Sequence, residues 1–86
     1  MDGPALLQTG PESFTLVLDG GEQRDLTLPT AARRELGLHG IPPLTVATAS
    51  VQLLAEHGRV PAAGADLVAE LARQPGGLED LRSRLG

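Results

Sequence analysis

Arg24, Arg33 and Arg34 are the residues of this chain best suited to recognition chemistry. A guanidinium carries five donors in a planar fork, which matches phosphate oxygens and the guanine edge bidentately. Two of the three are adjacent on one short segment, and a dimer would double the set. The same residues also suit a solvated helix face paired with nearby acids. His39 and His57 are the only imidazoles, and the chain has no Cys. Structural zinc needs about four convergent ligands, so two separated histidines predict neither a metal nor any other cofactor. Ser13, Ser50 and Ser83 lack the strand-turn-helix setting of a nucleophile. Gly20-Gly21 leads into a strand rather than a phosphate-cradling helix. Glu56 and Asp66 are two of eleven acids, too many for a chance pair to mean much. No catalytic residue is expected, and the chain is read as a non-enzyme.

The charge balance narrows the classes further. Seven Arg and no Lys stand against five Asp and six Glu, a net charge of −4 with a pI near 4.9. That excludes a basic arm, a polybasic membrane anchor and a strongly cationic RNA binder. No apolar run approaches the roughly 18 residues of a membrane span. The opening Met1-Asp2-Gly3-Pro4 lacks the positive start of a signal peptide. A cytoplasmic protein without a membrane partner is expected. Of the 86 residues 41 % are hydrophobic, yet the only aromatic is Phe14. So small a chain has little core of its own, which predicts burial against a partner chain and hence an obligate homodimer.

The elements that must position these residues follow from periodicity. Residues 1–12 carry two Pro and two Gly without sustained period and read as a mobile N-terminal arm. Residues 13–19 alternate, with Phe14, Leu16 and Leu18 on one face, as a half-buried strand does. Asp19-Gly20-Gly21 supplies a turn, and residues 25–28 form a second strand with Leu26 and Leu28 inward. After Pro29, residues 31–36 form a two-turn helix, with Thr30 as its N-cap. Gly37 takes the C′ position and Leu38 folds back on Ala32. Pro42-Pro43 make a rigid loop that forbids a helix there. Residues 44–46 restart a strand, whereas 48–57 satisfy either a strand or a helix, and Gly58 ends both. Residues 65–74 and 78–85 are helical, separated by the breaker Gln74-Pro75-Gly76-Gly77.

The run Leu26-Thr27-Leu28-Pro29, followed by Arg33-Arg34-Glu35-Leu36-Gly37-Leu38, resembles the core of the AbrB/MazE/SpoVT swapped-hairpin family over about residues 13–57. The resemblance implies that 44–49 and 51–56 are a strand pair. It implies a mainly β fold with short helices, in which two chains interleave hairpins into an AbrB-like β-barrel. The domain plan is then an arm at 1–12, the swapped-hairpin domain at 13–57 and a C-terminal helical segment at 58–86. The family's basic residue at the entrance of the second strand is replaced here by Asp25, beside Arg24.

Leu78, Leu81 and Leu85 line one side of the last helix. One use of such a stripe is to dock a toxin or other partner, as the C-terminal segment of antitoxins resembling this family does. The other is to pack on the chain's own domain. The resemblance thus implies a dimeric DNA-binding transcription regulator, or the antitoxin of a toxin–antitoxin pair. Arg24, Arg33 and Arg34 would face DNA, and Leu78, Leu81 and Leu85 a partner. The acidic N-terminal half and Asp25 suit a second expectation, a dimeric protein-interaction module that keeps the fold and no longer binds DNA.

Overall fold

The computed structural model describes residues 5–85. Its elements run β1 (Ala5–Gln8), β2 (Ser13–Val17), β3 (Gln23–Thr27), α1 (Thr30–Glu35), α2 (Pro43–Glu56), β4 (Ala65–Asp66), α3 (Leu67–Ala72) and α4 (Gly77–Leu85). The strands form one sheet in the order β1-β2-β3-β4. The first three are an antiparallel meander, and β4 joins β3 in parallel after the long excursion through α1 and α2.

The alternation expected of β2 and β3 is present. Phe14, Leu16 and Leu26 are buried on the inner face, and Leu28 follows them into the core. The turn between the strands is closed by Leu18 N–H donating to the Glu22 carbonyl at 2.7 Å. Ala5–Gln8, inside the segment read as an arm, pairs with β2 in the register Leu6 to Leu16 and Gln8 to Phe14. Leu6 thereby gains core contact, which the lack of a sustained pattern around it had concealed.

The stretch 44–56, read as a strand pair through the resemblance, is a single helix. Pro42 is its N-cap and Pro43 lies in its first turn, where a missing N–H costs nothing. The prolines therefore start a helix rather than forbid one. Val46, Ala47, Ala49, Ser50, Leu53 and Leu54 are buried, a recurrence of three and four that strand alternation cannot produce. The Thr48 and Ser50 hydroxyls bond back to the Leu44 and Val46 carbonyls at 2.7 and 2.8 Å, so the buried serine satisfies itself within its own helix.

With that helix the expected mainly β architecture gives way to a mixed α/β one. The sheet is open rather than closed into a barrel, and α2, α3 and α4 pack together in the helical layer. The core closes within one chain: Phe14, Leu16, Leu26, Leu28, Leu38, Leu53, Leu54, Leu67, Leu71 and Leu81 are all at most 4 % exposed. The core deficit that motivated an obligate dimer is thus filled by the chain's own helices. Among the described residues no helix is long and apolar enough to cross a membrane.

Helix ends explain several boundaries. Both α1 and α2 close with a glycine at positive φ, Gly37 at 75° and Gly58 at 69°. At each, two backbone bonds run back to the last turn: Gly37 to Arg34 and Leu38 to Arg33, then Gly58 to Ala55 and Arg59 to Leu54. This is the Schellman closure, and it buries Leu38 as the sequence predicts. Thr30 is not the cap of α1. It is the first helical residue, and its N–H donates to the Glu12 carboxylate at 2.7 Å. Asp66 does cap α3, accepting from Val68 and Ala69 N–H at 2.9 and 3.2 Å.

Candidate interaction surface

The three arginines expected to face DNA have three different settings. Arg24, on β3, donates to the Pro61 carbonyl at 3.2 Å and to the Glu22 carboxylate at 2.9 Å. It ties the loop after α2 to the sheet. Arg33 is only 7 % exposed. Its Nη1 donates to the Ile41 carbonyl at 3.3 Å, and its Nε has no partner among the described residues. Arg34 alone of the three is exposed on α1. A phosphate would meet Arg34 without disturbing the fold, Arg24 only in competition with Glu22 and Pro61, and Arg33 only after the loop around Ile41 had opened.

Two polar residues that organise the fold escape sequence reasoning. Arg59 donates to the Glu70 carboxylate at 2.7 Å, to the Glu70 carbonyl at 3.1 Å and to Gln74 Oε1 at 3.2 Å. Arg73 approaches the other Glu70 oxygen at 3.2 Å. Glu12 reaches the start of α1, and donation from the Thr30 backbone and then its hydroxyl holds this carboxyl below its ordinary value. Only the Glu70–Arg73 contact has a helical i,i+3 spacing. Arg59 lies 11 and 15 residues from Glu70 and Gln74, and Glu12 lies 18 from Thr30, so no spacing rule would have paired those.

The leucines assigned to a partner face inward. Leu81 is fully buried, and Leu78 and Leu85 are half-buried against the same core. The outer face of α4 instead presents Glu79, Asp80, Arg82, Ser83 and Arg84. Arg84 grips Glu56 of α2 through two bonds, 2.8 and 3.1 Å long, and this holds the Glu56 carboxyl below its ordinary value. A shallow groove of about 370 Å³ between α2 and α4 is lined by Leu44, Thr48, Ala49, Gln52 and Leu85. His39 and His57 are exposed in separate loops. Among the described residues no three His, Asp or Glu side chains converge on a point that would hold a metal ion.

The sheet offers a different surface. On its outer side the cross-strand rows are Ala5–Val17–Gln23 and Leu7–Thr15–Asp25. The β1 end of this side is apolar, with Ala5 exposed, Leu7 at 56 % exposure and Val17 half-buried. The β3 end is polar, and there Thr15 donates to Asp25 at 3.2 Å. The two edges of the sheet differ as well. β4 is two residues long and ends at once in the capping Asp66. β1, Ala-Leu-Leu-Gln, has no ionisable side chain and, among the described residues, no strand on its outer side. Comparison of the chain with family models, with curated proteins and with solved structures matches it to none of them.

Proposed function

We propose that the protein is a non-enzymatic protein-interaction module. The observation that carries this reading is the contrast between its arginines and its sheet edge. Arg24 and Arg33 are engaged within the fold, whereas β1 has no strand on its outer side among the described residues and carries an exposed Leu7. Unprotected edges of this kind are templates for adding a strand from another chain. The regulator or antitoxin implied by the resemblance asks for several guanidiniums at phosphate. DNA affinity rests largely on such contacts, and a net charge of −4 opposes it.

Titration of a labelled mixed-sequence duplex at about 50 mM salt tests this, because phosphate binding is strongest at low salt. The expected result is no complex at tens of micromolar protein. A complex that weakens with salt and is lost in Arg34→Ala overturns the proposal and restores the DNA-binding one.

A further inference from the structure

We infer that β1 is the pairing edge for a second copy of this chain, joined antiparallel about a two-fold axis at Leu7. The inference rests on the interaction-module reading and names its partner. Its first support is the direction of the backbone groups. Thr9 N–H donates to the Ser13 carbonyl at 2.9 Å. Antiparallel ladders alternate hydrogen-bonded and non-bonded pairs, so Leu7 opposite Thr15 and Ala5 opposite Val17 bond to β2. Leu6 and Gln8 then direct their N–H and C=O groups away from β2, to the open edge.

That edge is self-complementary. With Leu7 opposite Leu7 of the second copy, Leu6 falls opposite Gln8 of the second copy, and Gln8 opposite its Leu6. Both pairs join residues whose backbone groups point outward, so each exchanges two hydrogen bonds. The two Leu7 side chains meet on the outer face at a non-bonded position, the close one of a ladder, with Cα atoms about 4.5 Å apart. An exposed leucine thereby covers its own counterpart.

Charge selects the same edge. Two copies at −4 each repel, so they must meet where neither carries an acid. β1 is free of charge, and the acid in the Leu7 row is Asp25, two strands away. Across the joined sheet the two Asp25 lie five strand spacings apart, about 24 Å, well beyond the Debye length of about 8 Å. Two-fold pairing also closes on itself: it uses β1 of both copies and leaves outside only the two-residue β4 and the short stretch of β3 before it, which carries Arg24 and Asp25, so the assembly stops at two. Four hydrogen bonds and one leucine pair make a contact below the standard interface size. The dimer is therefore weak and concentration-dependent, with a dissociation constant of roughly 10–500 µM.

The test is sedimentation of the full chain over about 5 µM to about 1 mM, a range that brackets that constant. Wild type should pass from monomer to dimer. Leu7→Glu places two carboxylates on the axis and should raise the dissociation constant at least about tenfold, because like charges directly opposite repel. Its far-ultraviolet circular dichroism should be unchanged, since Leu7 lies outside the core. Leu7→Cys supplies an independent readout in a chain with no native cysteine. Cα atoms at a non-bonded pair lie within the 4.4–6.8 Å that a disulfide spans. Oxidation should therefore link Leu7→Cys chains faster than Val60→Cys chains, Val60 being equally exposed at 56 %. A monomer throughout the series, a dimer indifferent to Leu7→Glu, or equal cross-linking of the two cysteine variants overturns the inference. DNA binding by a dimer that Leu7→Glu dissociates would instead overturn the interaction-module reading and leave the pairing standing.

Discussion

Replacing Arg33 by Met should stabilise the protein. The guanidinium is 7 % exposed, makes one 3.3 Å hydrogen bond to the Ile41 carbonyl and leaves Nε without a partner. A buried donor left unsatisfied costs about 1–3 kcal/mol, and a buried charge adds to that unless it is paired. Methionine fills much of the volume of the arginine stem in a flexible, apolar form. What it forfeits is one long hydrogen bond, worth about 1 kcal/mol. The balance favours Met by about 1 kcal/mol, or a rise of about 4–8 °C in Tm for a domain of this size. Arg33→Ala should go the other way, because it also removes the packed stem. With no Trp or Tyr in the chain, the measurement is urea and thermal unfolding followed by far-ultraviolet circular dichroism. A loss of more than about 1 kcal/mol in Arg33→Met would refute the reasoning, since only a guanidinium with strong partners costs that much to remove.

Three further outcomes follow from single features. Gly77→Ala should destabilise by about 2–4 kcal/mol despite the helix propensity of alanine, because a Cβ there overlaps the Leu71 carbonyl oxygen; a stabilised variant would mean that α3 and α4 do not meet so closely. Leu81→Ala should cost about 2–5 kcal/mol, the cost of emptying a buried leucine site, whereas a change under half a kcal/mol, typical of surface sites, would return Leu81 to the role of a partner contact. In acid, the carboxyls of Glu12 and Glu56 lie below their ordinary 4.5, held there chiefly by donation from Thr30 and Arg84 respectively. The unfolded chain therefore takes up these protons first, so their stabilisation is present above about pH 4.5 and is lost as pH falls through the folded values. Tm measured down this range should fall less steeply in Glu12→Gln and Glu56→Gln than in wild type.

Where a pattern was complete within a few residues, the sequence could be read directly. Phe14, Leu16, Leu26 and Leu28 reveal their faces by alternation, and Gly37-Leu38 reveals the end of α1, because strand pleat and helix cap are local geometries. Periodicity leaves 48–57 open between strand and helix for a physical reason, and it is the resemblance alone that makes 44–49 and 51–56 a strand pair. Val46 and Ala47 are adjacent, as are Ala49 and Ser50, and a small apolar run fits a buried strand as well as a buried helix. Pro42-Pro43 would have decided the matter if taken as a start signal rather than as a barrier. β1 escaped because four residues carry too little period to stand out between two prolines. The arginines show a sharper limit. Composition marks Arg24, Arg33 and Arg34 alike as surface cations, yet their fates depend on carbonyls at Pro61 and Ile41 that only the folded path of the backbone brings near.

The parallel pairing of β3 with β4 has a kinetic consequence. β1, β2 and β3 zip together through short turns, and α1 and α2 form from local contacts. The two-residue match of Leu26 with Ala65 and Thr27 with Asp66, however, requires the whole of residues 28–64 to be looped back first. Closing a long loop loses entropy before any contact compensates it, and two residues of ladder offer little in return. The last strand thus joins after the meander and α2 have made a surface to receive it, drawing α3 and α4 down with it. Native-state opening should follow that seam in reverse, with the Gly64 amide, bonded to the Asp25 carbonyl, exchanging its hydrogen sooner than the amides that β2 and β3 share.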